Sequence, residues 1–205
     1  MVTHGYAKGR AKRQEIIETA MLVFGERGYN ASSMLEIAGR CGLSRAGLAH
    51  HFSSKESILF AVLTWRDRKD RERFRAAGAK LSDGLAILRG MVDLARHNAT
   101  VPGLIGLYTV LAAEASSPDH PAHDYFVERY ARIVKGTQAA LVSVQQAGHL
   151  AAGVDPWVYG VALTALMDGL QLQWLLTPEK VDMAAHLRSA IQNIVTVDFD
   201  EVMTG

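Results

Sequence analysis

Cysteine is all but missing from this chain: Cys41 is the single thiol in 205 residues. That excludes an internal disulfide and any multi-cysteine zinc site. Proline is scarce, five residues against eighteen glycines, and no segment shows the strict apolar–polar alternation of a half-buried strand. Net charge is nearly absent, since Lys and Arg outnumber Asp and Glu by one; overall charge therefore selects no partner. A membrane-spanning run is lacking as well. The most apolar stretch, 158–176, is interrupted by Asp168, Gln171 and Gln173 and reads as a buried or dimer-forming helix. The first thirteen residues are polar and basic with no apolar centre, unlike a secretory signal. A cytoplasmic protein without a membrane partner is expected. No nucleophile elbow, phosphate loop or zinc-hydrolase signature occurs, so no catalytic residue is assigned, the chain is not read as an enzyme, and no cofactor is expected.

What is present is helix. Hydrophobic residues make up 49% and charged residues 21%, enough for a packed core. Apolar positions Ile16, Ala20, Val23 and Phe24 recur at helical spacing, and Gly28 closes that segment. Ser33 three residues before Glu36 forms a capping-box pattern. Ser44 can cap a short helix over 45–51, and Ser54 a long one beginning at Lys55. Later helices are expected over about 83–97, 103–115, 122–147, 156–176 and 183–197, with Asp155 and Pro156 forming a cap and first turn. Pro102, Ser116-Ser117-Pro118, Gly153 and Thr177-Pro178 mark breaks. The result is an all-α chain of about nine helices. In the fourth helix, Asp67 with Arg71 and Arg68 with Glu72 are spaced to support an exposed face.

Charge is unevenly distributed. Residues 1–52 hold seven basic residues against four acidic ones, leaving the remainder slightly acidic. Within this basic head, 34–53 has the features a helix-turn-helix needs: a small residue at the crossing (Ala38), a turn (Gly42) and apolar contacts from Ile37, Cys41, Leu43 and Leu48. An ordinary helical hairpin has the same spacing. Docking in a major groove would place Arg45, Ala46, Gly47 and His50 toward DNA, with Ser33 and Ser44 near phosphates at helix starts. Lys55 suits a phosphate on the far rim. Lys8, Arg10, Lys12 and Arg13 read as a flexible basic arm along the backbone or in the minor groove.

Three groups of residues then resemble the DNA-binding domain of the tetracycline-repressor (TetR) family. They are Ile17, Ala20, Phe24 and Gly28-Tyr29; Ile37-Ala38 with Gly42-Leu43-Ser44; and Leu48, His50-His51-Phe52 and Lys55-Glu56. The similarity spans 13–63, about a quarter of the chain. It implies a three-helix DNA-binding domain over 1–55 and a helical effector-binding and dimerisation domain over 56–205. It also implies a ligand-responsive repressor that binds a double-stranded, pseudo-palindromic operator as a homodimer. Where the family often has Lys-Gly-Thr-Leu-Tyr, this chain has Arg45-Ala46-Gly47-Leu48-Ala49. Ala49 cannot make the tyrosine's backbone contact, so phosphate grip is expected from His50, Lys55 and the arm. The departures at Ala49 and Gly47 leave open a helical small-molecule carrier or enzyme with a vestigial head; a DNA-bound activator or a regulator without a ligand is a third reading.

The resemblance further implies dimerisation through the last two long helices, 156–176 and 183–197, where Gly160, Ala162, Ala165 and Gly169 permit close packing. An unknown small-molecule effector would occupy a mostly apolar pocket. Tyr108, Asp168, Gln171 and Trp174 are its candidate polar groups, with Leu104, Leu111 and Met167 as walls. Polar residues among so many leucines need partners if buried, and a ligand or a second subunit can supply them. Asp119, His120, His123 and Asp124 form no closed ligand set, so no metal is expected; capping by Asp119 accounts for that loop.

Overall fold

The computed structural model describes residues 3–76 and 83–199, without the side chains of residues 3–6, 70, 71 and 73–76. Arg71, the proposed partner of Asp67, therefore lies outside the described side chains. Nine helices occur among the described residues: α1 (Thr3–Arg27), α2 (Met34–Arg40), α3 (Arg45–His51), α4 (Lys55–Ala76), α5 (Gly84–Asn98), α6 (Pro102–Glu114), α7 (His123–Gln146), α8 (Pro156–Leu176) and α9 (Met183–Gln192). None of them is long and apolar enough to cross a membrane.

Short polar side chains start these helices. Ser33, Ser44, Asp83, Asp155 and Asp182 each accept a hydrogen bond from a backbone N–H of the first turn, satisfying donors the helix leaves open. At α4, Ser54 Oγ accepts from Ser57 N while Ser57 Oγ accepts from Ser54 N. Pro102, which breaks the pattern in the sequence, is the first residue of α6; its missing N–H costs nothing there.

The chain folds as two compact units, Met1–Arg71 with Gly103–Asp124, and Glu72–Pro102 with Tyr125–Gly205. The first unit is larger than the 55 residues assigned to a head, because α6 and most of α4 join α1, α2 and α3. Its buried residues include Ile16, Val23 and Phe24 of α1, Ile37 and Ala38 of α2, Leu48 of α3, Ile58, Leu59 and Leu63 of α4, and Leu107 and Leu111 of α6. Gly25 brings α1 close to α6: a Cβ there would stand 3.1 Å from the Gly103 carbonyl oxygen.

In the second unit, α5, α7, α8 and α9 enclose a core that includes Leu88, Val92, Leu141, Leu163, Met167, Leu170, Leu187 and Ile191. The last helix is shorter than its apolar pattern suggests. It ends at Gln192, and the β-branched run Ile194, Val195, Thr196, Val197 turns back instead. Val195 bridges Leu150, and Ala151 and Thr196 donate to the carbonyls of Ile194 and His149. β-Branched side chains lose rotamer freedom in a helix and suit this extended pairing. Gln192 then fastens this segment, donating to Val197 O and accepting from Phe199 N.

The start of α5 gives a test of this packing. A Cβ at Gly84 would meet the Ala140 carbonyl oxygen at 2.2 Å, whereas one at Gly136 meets nothing within 4 Å. Gly84→Ala is expected to destabilise the chain by roughly 1–3 kcal/mol in urea unfolding. Gly136→Ala should be neutral or stabilising by up to about 1 kcal/mol. Equal effects would mean that the α5–α7 approach is not this close.

Candidate nucleic-acid interface

The α2–turn–α3 segment is built by its backbone. Gly42 takes φ +63°, a left-handed conformation that side chains with a Cβ avoid, and Leu43 N donates to Ala38 O at 2.9 Å. That long reach across the turn closes α2. Ala38 is fully buried, as are Ile37 and Leu48, and Cys41 and Phe52 are buried with them. The other side of α3 is open: Arg45, Ala46, Ala49 and His50 are exposed and Gly47 half-exposed. Ser44 Oγ accepts from Gly47 N at 3.0 Å and Ser33 Oγ from Glu36 N at 3.1 Å. Each cap uses its oxygen on the helix and keeps a hydroxyl proton to donate outward. The capping box at α2 is one-sided, because Glu36 pairs with Arg27 and Arg40.

The basic residues near this surface divide into two groups. Lys8, Arg10, Lys12 and Arg13 are not a flexible arm; all four lie within α1, where Ala, Lys and Arg are good helix formers. Lys8 and Arg10 are exposed. Lys12 Nζ instead donates to Cys41 O at 2.8 Å and to Glu15 at 2.7 Å. Arg13 donates to His51 O at 2.6 Å and lies 3.8 Å over the Phe52 ring. Both cations therefore cover open carbonyls at the ends of α2 and α3.

Lys55 also departs from its expected role. Its Nζ donates to Tyr29 O at 2.7 Å, Ser32 O at 2.9 Å and Asn30 O at 3.4 Å, and sits 4.2 Å from the Tyr29 ring centroid. The three ammonium donors are occupied by the α1–α2 turn, so Lys55 holds that turn rather than a phosphate. Burial pushes its pKa below the usual lysine value, with Glu114 acting in the opposite sense. From α6, Glu114 completes the clasp, its carboxylate accepting from Tyr29 N at 2.7 Å and Asn30 N at 3.2 Å. A Cβ at Gly28 would come within 2.5 Å of Glu114 Oε1. His120 is buried edge-on to Tyr29, ring centroids 5.1 Å apart. Its Nδ1 accepts from Ala122 N, so the ring, not Asp119, caps that turn. Nε2 lies 3.9 Å from Glu114 Oε2 without a hydrogen bond. Sequence reasoning missed Glu114 and Lys55 as turn clamps, for no local pattern marks contacts some 85 and 26 residues apart.

The effector candidates fall in different units. Leu104, Tyr108 and Leu111 lie on α6 of the first. Leu111 is fully buried, and the Arg66 guanidinium lies 5.3 Å from the Tyr108 ring centroid. Met167, Asp168, Gln171 and Trp174 lie on α8 of the second. There Met167 is in the core, Tyr130 OH donates to Asp168 Oδ2 at 2.8 Å, and Gln171 is half-exposed. Only Trp174 borders a cleft of about 720 Å³ in this unit, with Arg96, Lys180, Arg188 and the start of α9. Among the described residues no three His, Cys, Asp or Glu side chains are grouped to hold a metal.

Comparison with known proteins supplies the family. Residues 16–62 match bacterial regulatory proteins of the tetR family, and 106–196 match the C-terminal region of BetI-type transcriptional repressors. The chain belongs to the tetR family. It is 26% identical to the HTH-type transcriptional repressor Rv1474c of Mycobacterium tuberculosis, over 90% of this chain and 93% of that protein. A transcriptional regulator from Saccharomonospora viridis, solved in complex with choline, is 25% identical. It superposes with a TM-score of 0.76 over 90% of this chain and 98% of the other. The SmeT–triclosan complex matches in fold, with TM-score 0.76 and 18% identity over 92% and 94% of the two chains. TetR regulators bind DNA and small-molecule effectors and typically act as dimers.

Two measurements check the clasp. Lys55→Met is expected to cost about 1–3 kcal/mol in urea unfolding, because carbonyls in a half-buried turn lose a charged donor; unchanged stability would return Lys55 to the phosphate role. For His120, burial lowers the pKa below 6.5, Lys55 adding to the shift and Glu114 opposing it. A depressed folded pKa means the neutral ring's contribution is present above pH 6.5 and is lost as pH falls through the folded value. His120→Phe should flatten that part of the stability profile, and an unaltered profile would place the acid sensitivity elsewhere.

Proposed function

We propose that this protein is a ligand-responsive repressor that reads a pseudo-palindromic operator as a dimer, with α3 of each subunit in a major groove. The observation that carries the reading is the division of α3 into a buried side at Leu48 and an exposed side at Arg45, Ala46, Ala49 and His50. An α-helix fits the major groove, and residues at the start of a recognition helix reach base edges. Arg45 is assigned to guanine or phosphate, and His50 and the Ser33 and Ser44 hydroxyls to phosphates. Gly47 and Ala46 permit close approach, and Lys8 and Arg10 on α1 extend the phosphate contacts. Lys12, Arg13 and Lys55 serve by fixing the helices. The boundary between function in DNA binding and in effector binding is placed near residue 55, although the compact unit around the head is larger.

The dimer is assigned to the outward face of α8, supported by exposed Trp157, Val158, Val161, Leu172 and Leu176, with the short α9 beside it. An operator of two half-sites needs two reading heads. The second half is proposed to take a small-molecule effector, as the names of the choline and triclosan complexes indicate for those proteins. Trp174, at the 720 Å³ cleft, is the candidate we assign to it first. A ligand that prefers one arrangement of the dimer lowers operator affinity by its differential binding energy. The reading is of a cytoplasmic binding protein, not an enzyme.

Selection of bound genomic fragments by the purified chain supplies a probe, and its affinity is then measured against salt. Arg45→Ala should weaken the selected site by about 10- to 100-fold while sparing non-specific DNA. Lys8→Ala and Arg10→Ala should weaken all DNA and each reduce the salt slope by about one phosphate contact. Failure to enrich any site at low salt would sink the DNA-reading function; enrichment with all three variants unchanged would remove only the docking face assigned here.

A further inference from the structure

Asp168 is the sole charged residue in the 21 residues of α8. It stands among Val158, Val161, Ala165, Leu172 and Leu176, spaced three or four apart and all exposed in the single chain. A helix apolar on its outward as well as its inward side is covered in the working molecule. A twofold contact sets this face against its own copy, so the cover is drawn from the same residues. The carboxylate therefore occupies a seam otherwise made of valine, alanine and leucine.

We propose that Asp168 enters the contact between two copies of this chain as a neutral acid bonded to Tyr130, and that assembly on the α8 face is linked to proton uptake at this residue. This rests on the dimer reading above. Tyr130 OH donates to Asp168 Oδ2 at 2.8 Å, leaving the other carboxyl oxygen to be covered. Packed protein atoms already disfavour the charged carboxylate and raise its pKa, while Tyr130 and Arg129 of α7 act in the opposite sense. Covering it with a second apolar surface removes more water and strengthens the same effect. No cation lies on α8 to offset it. On α9, also packed against α8, the titratable groups are His186 and Arg188. His186 Nδ1 lies at Asp182 O, and Arg188 borders the cleft with Trp174, roughly 9 Å along α8 from Asp168 at 1.5 Å per residue.

The dimer then binds protons more tightly than the separated chains, so falling pH favours assembly. Each unit of difference in pKa contributes tenfold per subunit, about a hundredfold in the dimer dissociation constant for the pair. Sedimentation equilibrium of the full chain between pH 8 and pH 5 tests this. The wild type should tighten as pH falls, and Asp168→Asn should remove that component and dimerise at least as well at pH 8. Asp168→Ser repeats the test should the asparagine variant unfold. Histidines titrate in the same range in every variant, so the difference between profiles is the reading. Identical profiles overturn the inference while leaving the dimer in place, as does weakening at low pH that Asp168→Asn abolishes, which would show a cation opposite the carboxylate. A chain that remains monomeric at every pH overturns the dimer reading and the inference with it.

Discussion

Two helices of seven residues cannot satisfy their own backbones, and the first unit is organised around that constraint. The last four carbonyls of any helix lack intrahelical partners; in α2 and α3 those are most of the carbonyls present. Side chains from α1 cover one such carbonyl at the end of each, and two further charged groups fasten the turn before α2. Lys12 covers Cys41 O, Arg13 covers His51 O, Lys55 covers the turn after α1, and Glu114 takes the two amides beside it. Because these charged groups are fixed by what they bond, α3 is held without using its own outward residues. That separation of tasks frees Arg45 and His50 for a partner.

The same constraint explains what could be read in advance. Local chemistry was legible: Ser33, Ser44, Asp155 and the Gly42 turn act within four residues of themselves, and each stands where the sequence placed it. The family followed from the spacing of residues that pack these helices together. Distant partners were not legible. An ammonium seeks oxygen acceptors, and sequence cannot distinguish the phosphate of a nucleic acid from a carbonyl 26 residues away. Lys12, Arg13 and Lys55 were thus read as DNA contacts when their acceptors lie within the chain. The capping of its loop by His120 rather than Asp119 was not legible either; Glu114 and Tyr29, against which the ring is buried, lie across a helix end or far away in sequence.

In the second unit the apolar pattern was the weaker guide because it is satisfied in two ways. At the end of α9, Ile194 and Val195 continue the apolar spacing of the helix, yet they are buried by pairing with 149–151. The apolar spacing alone suits a helix over 183–197, and it carries no mark of the backbone that pairs instead. The pocket candidates belong to two compact units for a related reason. Leu111 and Met167 are apolar residues of two different cores, and hydrophobicity alone does not say which core a residue joins.

A seam made only of aliphatic residues at three- and four-residue spacing is nearly indifferent to sliding by one helical turn, since valine meets leucine about as well as alanine does. A turn is 5.4 Å, while half-sites on DNA recur at about 34 Å and accept little error. A dimer that reads two half-sites therefore needs a residue that distinguishes one register from the next. Polar residues at single seam positions do this at a cost in stability. Asp168 is the polar side chain among these positions: Tyr130 already bonds one of its oxygens within the chain, so in the proposed contact only the other oxygen depends on the register. In the proposed contact, the polar group that weakens the face as a hydrophobic surface is what would give the face a position.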